Sequence, residues 1–187
     1  MSVAKDARRV WTRAIADNDK DTVTGVQTLR NSIMSVSLFT VACGYIGARA
    51  LPEILLDRAW TERLNNIQGL DPILAASGGV ALLQPTVKLA IALVMLLCCF
   101  LCFVQSARLF SHVGFLLKAV SSNKSDGRSF ERETIAITDC AGTLFSVGIR
   151  LFIAFSIAAI WILGPVALMV STAVFLGGLF FVDFLPL

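Results

Sequence analysis

The chain holds one histidine and one tyrosine in 187 residues, and only 16% of its residues are charged. Soluble domains carry about 25% charged residues. A single histidine leaves little for metal chemistry, because zinc sites assemble four ligands, commonly cysteine with histidine. Cysteines do occur, at Cys43, Cys98, Cys99, Cys102 and Cys140. The first four lie inside apolar runs, where free cysteine behaves as a small buried hydrophobe. "CCFLC" therefore reads as packing, and neither a metal site nor a disulfide is expected. His112 is the one side chain suited to an axial ligand of a haem or chlorophyll. A lone histidine near the end of an apolar run reads first as a hydrogen-bonded interfacial residue. No P-loop, GxSxG, HExxH or paired glycosidase-like carboxylates occur, so no catalytic residue is expected. The net charge of +3 is too small to point to nucleic acid. No signal peptide is expected either, because "MSVAKDARRVWTRAIAD" has no continuous apolar core.

What the chain does have is apolar sequence, 56% of it, with a mean hydropathy of +0.77. A membrane span needs about 20 predominantly apolar residues. Four segments qualify: 32–51, 87–107, 144–163 and 165–184. The last two together run about 60 Å at ~1.5 Å per residue, about twice a hydrocarbon core. Gly164-Pro165 stands between them. Glycine can close one helix in the left-handed conformation and proline can open the next. The expected fold class is thus an all-α integral membrane protein with four transmembrane helices and a C-terminal helical hairpin. The competing reading of the hairpin is one long kinked helix.

An N-terminal amphipathic helix precedes the spans, within a segment 1–31 that also holds a polar ramp. Val3, Ala7, Val10, Trp11, Ala14 and Ile15 recur at helical spacing, with Lys5, Arg8, Arg9 and Arg13 among them. Such a helix suits a membrane surface, with Trp11 at headgroup level. It suits packing on the protein's own loops equally. Asp6 and Asp17 argue against a cleaved organellar leader. Lys and Arg set the orientation. Six precede the first span (Lys5, Arg8, Arg9, Arg13, Lys20, Arg30) and six lie between the cores of spans two and three (Arg108, Lys118, Lys124, Arg128, Arg132, Arg150). Only Arg49, Arg58, Arg63 and Lys88 fall between spans one and two. The positive-inside rule then puts both termini on the inner face. The apolar loop 52–85 reads as a short amphipathic helix, "PEILLDRAWTERL", followed by an interfacial or re-entrant stretch, "PILAASGGVALLQP".

Charges inside spans are expensive and informative. Arg150 lies 14 residues before Gly164 and Asp183 lies 18 after Pro165. Across a hairpin their levels differ by about 6 Å, which a snorkelling arginine covers. A structural charge pair, Arg150 with Asp183, is expected, and a proton-relay or transport role for it is the alternative. Asp139, 11 residues before Arg150, extends the stripe but lies too far away to touch it. Thr40, Gly44 and Ala48 form a small-residue series on one face of span one, and Ala154 with Ala158 and Ala173 with Gly177 repeat the spacing. Close backbone approach at such faces drives helix association in lipid.

"DNDK", "VQTLRNSIM", "RLF", "WILGPV" and a near-terminal "DF" occur in this order from Asp17 to Phe184. In this the chain resembles a membrane-protein family of plants, algae and bacteria, domain-of-unknown-function family 599. The motif residues it shares are Asp17, Asn18, Asp19, Lys20, Gln27, Arg30 and Asn31. The stretch from Pro52 to Pro85 does not share the resemblance. Family members carry a further hydrophobic helix ahead of this region, so the resemblance implies a shortened, processed or divergent chain. It also implies a multi-span membrane protein and supplies no reaction. The expectation is therefore a non-enzymatic protein with no cofactor beyond lipid contacts. It would be a structural or accessory subunit of a larger membrane complex, with other membrane subunits as partners. The alternative is a small oligomeric transporter or channel.

Overall fold

Helix is the only regular structure among the described residues, which in this computed structural model are 3–17, 22–56, 62, 66, 85–122 and 127–184. Among the described residues, five helices follow in order: α1 (Val3–Asp17), α2 (Thr22–Leu56), α3 (Pro85–Ser122), α4 (Gly127–Trp161) and α5 (Pro165–Phe184). Three contain stretches long and apolar enough to cross a membrane: Val23–Ala50, Val87–Leu117 and Arg132–Trp161. In α5 the described part of the apolar stretch is Pro165–Gly178. α2, α3 and α4 have 35, 38 and 35 residues. At ~1.5 Å per residue that is about 52–57 Å, well beyond the ~30 Å of a hydrocarbon core.

α2 begins ten residues before the apolar run at Ser32, so the polar stretch from Thr22 to Asn31 forms its first turns. It also continues past Leu51 through Pro52 to Leu56. The remainder of the loop up to Gln84 lies outside the described residues, apart from Glu62 and Asn66.

α4 and α5 are separate helices. The last turn of α4 tightens: the N–H groups of Ile162, Leu163 and Gly164 donate to the carbonyls of Ala159, Ile160 and Trp161 at 3.3, 3.0 and 3.2 Å. Gly164 then takes φ 143°, a conformation that L side chains rarely adopt. Its carbonyl accepts from the N–H of Leu168 at 3.1 Å, the first bond of α5. Pro165 occupies the first helical position, where its missing N–H costs nothing. One continuous kinked helix is thereby excluded.

The chain divides into two compact units, Met1–Cys43 with Cys99–Gly148, and Gly44–Cys98 with Ile149–Leu187. In the first unit, Val36, Cys43, Cys99, Phe103, Val113 and Ala141 are buried to 1% exposure or less. Phe103 stacks on Phe39 with centroids 5.1 Å apart, and Phe145 meets the two rings at 6.0 and 6.1 Å. Gly148 makes room for this cluster, because an added Cβ would stand 2.7 Å from the Phe103 ring. The Cys99 thiol donates to the Gly148 carbonyl at 3.3 Å, and its sulfur lies 3.7 Å from that of Cys43, both thiols being free. The Ser106 hydroxyl donates to the Ala141 carbonyl at 2.9 Å, joining α3 to α4. In the second unit Leu89, Ala92, Leu96, Phe155 and Ile162 are buried. Lys88, also buried, places its ammonium 5.1 Å from the Trp161 ring centroid, an attraction that grows when the cation is desolvated.

Candidate functional site

A basic clasp in the first unit joins α1 to α4. Arg8 and Arg9 are adjacent on α1, and both reach Asp139 of α4. The Arg9 Nε donates to Asp139 Oδ2 at 2.8 Å, and the Arg8 Nε lies 3.8 Å from Oδ1. Asp139 is 8% exposed, and a buried carboxylate holds its charge only where a cation or donors compensate it. The side chains of Arg8 and Arg9 are 29% and 35% exposed. The Arg8 Nε and Asp139 Oδ1 atoms are buried without a hydrogen-bond partner, so one side of the clasp is tight and the other is an ion pair only.

Local sequence explains why the arginines fit. Gly142 lies one turn beyond Asp139, and an added Cβ there would overlap the Arg8 guanidinium, 2.6 Å from its Cζ. Only glycine lets Arg8 lie on the α4 backbone. On α1 the Thr12 hydroxyl donates to the Arg8 carbonyl at 2.8 Å, and Thr12 is 1% exposed. Ile15 packs against Gly25 of α2, where an added Cβ would come within 2.8 Å. The buried face of α1 is thus Thr12 and Ile15, whereas Val10 is 66% exposed. Among the described residues α1 packs on α2 and α4.

Beside the clasp is a pocket of ≈ 260 Å³, lined by Arg9, Arg13, Arg132, Ile135, Ala136 and Asp139. Arg9 and Arg13 share a face of α1 one turn apart, and Arg132, Ile135, Ala136 and Asp139 share a face of α4. Three arginines and one aspartate thus line it.

The residues singled out in the sequence are spread out. Arg150 is exposed on α4. Asp183 belongs to α5, but its side chain lies outside the described residues, and so does any contact between the two. Thr40 and Gly44 are half-buried and Ala48 is exposed, while the fully buried stripe of α2 is Leu29, Val36 and Cys43. Ala154 and Ala158 are half-buried, Ala173 and Gly177 are exposed, and nothing stands within 4 Å of a Cβ built on Gly177. His112 is exposed on α3. Among the described residues no group of three or more His, Cys, Asp or Glu could hold a metal ion. Gln27, Arg30 and Asn31 are exposed on α2, and Asn18 to Lys20 lie outside the described residues. The Arg8–Arg9–Asp139 clasp was not anticipated. Its signal was an acid inside an apolar run, which demands a partner.

Helix alone among the described residues, three helices there apolar and long enough for a membrane, and a basic clasp at one of them define the class. The chain belongs to the family described as "Protein of unknown function, DUF599", which matches residues 1–186. That match includes residues 52–85, so the stretch set apart in the sequence analysis falls within the family after all. No curated protein and no solved structure matches the chain.

Proposed function

We propose that the protein is a four-span integral membrane protein, with α4 and α5 as a helical hairpin, acting as a non-enzymatic structural or accessory subunit of a larger membrane complex. The observation that carries this reading is how little of its apolar surface the chain covers by itself. The apolar windows of α2, α3 and α4 are only 11%, 33% and 17% buried. Met34, Leu38, Val41 and Tyr45 recur along one side of α2 at 58–68% exposure, and Met169, Val170, Val174, Leu176 and Phe180 of α5 are at 60–68%. Soluble monomers rarely expose contiguous apolar patches beyond a few hundred Å². Lipid would cover large side chains such as these. The small-residue faces at Gly44–Ala48, half-buried to exposed, and at Ala173–Gly177, exposed, favour another helix, because close backbone approach is what small residues provide.

A small oligomeric transporter or channel is the second reading. Asp139 favours it, as a buried carboxylate within the apolar stretch Arg132–Trp161. Purification in mild detergent separates the two. The first reading expects a larger membrane protein at fixed stoichiometry, lost from Gly44→Leu and retained by the lipid-facing control Met169→Ala. A clean homo-oligomer, unchanged by Gly44→Leu, would overturn it in favour of the second.

A further inference from the structure

We infer that the pocket between α1 and α4 binds a phosphate-bearing anion. Arg9, Arg13 and Arg132 line it, with Asp139 as the one acid among its described residues. The Arg9 Nε and the Arg8 side chain already neutralise Asp139. A guanidinium offers five N–H donors in a planar fork, so Arg9 keeps donors beyond the Nε that Asp139 takes. Guanidinium forks match phosphate oxygens two at a time. The volume of ≈ 260 Å³ lies just below the ~300–1,000 Å³ of pockets for drug-sized ligands, which suits a headgroup or an inorganic anion.

The lining is also amphipathic. Ile135 and Ala136 add an apolar wall one turn along α4 from Arg132. An amphiphile with a phosphate at the arginines and its apolar root against Ile135 would use both features. Free phosphate would use only the first. The inference rests on charge and shape within one unit and is independent of the subunit reading.

The full chain in nonionic detergent is melted against two pairs of probes. One pair is sodium phosphate against sodium chloride at matched ionic strength. The other is short-chain phosphatidylglycerol against phosphatidylcholine. Phosphate or phosphatidylglycerol is expected to raise the melting temperature above its control. Arg132→Gln and Ala136→Leu should each weaken the apparent Kd about tenfold. The exposed Arg108→Gln, outside the pocket, should leave it unchanged. A response to both probes supports an anion site read through phosphate alone, and a response to the lipid only supports a headgroup site. Ala136→Leu keeps every charge and decides the matter if Arg132→Gln fails to fold. The inference is overturned if neither probe stabilises beyond its control. It also fails if Ala136→Leu binds like the parent chain, or if Arg108→Gln weakens binding as much as the pocket variants.

Discussion

Two glycines of α4 do different work because their neighbours differ in freedom to move. At Gly148 an added Cβ meets the Phe103 ring at 2.7 Å, and Phe103 is 0% exposed between Phe39 and Phe145. Overpacking of that kind costs about 1–3 kcal/mol, more than the about 0.5–1 kcal/mol that alanine gains over glycine in a helix. Gly148→Ala should therefore lower the melting temperature. At Gly142 the obstacle is the end of the Arg8 side chain, which can swing away. Gly142→Ala should be near neutral in stability and should loosen only the Arg8 side of the clasp. Equal losses for both variants in a thermal melt would refute this ranking. Arg9 and Asp139 form the stronger half. A charge-assisted hydrogen bond is worth about 1.5–3 kcal/mol, and the one-third exposure of Arg9 moves the expectation to the low end. A double-mutant cycle on Arg9→Gln and Asp139→Asn should give a coupling of about 1–2 kcal/mol. Strict additivity would show that the bond contributes nothing.

The α4–α5 junction is legible as an element boundary in the sequence alone. Gly164-Pro165 is local backbone chemistry, and φ 143° at Gly164 is what that dipeptide makes possible. Gly164→Ala forces a side chain into that conformation and should cost about 1–3 kcal/mol. Gly177→Ala, in open space on α5, should be neutral or slightly stabilising. A Gly164→Ala variant as stable as the parent would show that the junction can relax. The proposed Arg150–Asp183 fastening is tested at the same scale. Changing both residues to leucine should be tolerated better than changing either alone, since a single change leaves one charge poorly compensated. The expected result is a non-additive cycle in detergent. By contrast α1 was legible only as a helix. Its apolar positions did not say whether lipid or protein would meet it, because Arg8 and Arg9 suit headgroups and a buried carboxylate equally well.

For the whole molecule, the distribution of Lys and Arg leads to one expected topology. Cysteine-labelling reporters at Lys124 and at the C-terminus should react from the inner side, and one at Asn65 from the outer side. Labelling of Lys124 and Asn65 from the same side would rule out four spans.

The sequence by itself determined the elements: helix over the described residues, apolar runs long enough for a membrane, a break at Gly164, and membership of the family. These depend on composition, on runs of about 20 residues and on dipeptide backbone preferences, all of which are local. Only the tertiary structure decided the rest. It chose Leu29, Val36 and Cys43 as the buried stripe of α2, and it joined Arg9 to Asp139 across 130 residues of chain. In helices that are apolar on nearly every side, periodicity does not single out the inward face. That choice is made by which side chains interlock, such as Phe103 on Gly148 and Arg8 on Gly142. A charge in such a helix announces that it needs a partner but not which one, because the partner is selected by packing between segments far apart in the chain.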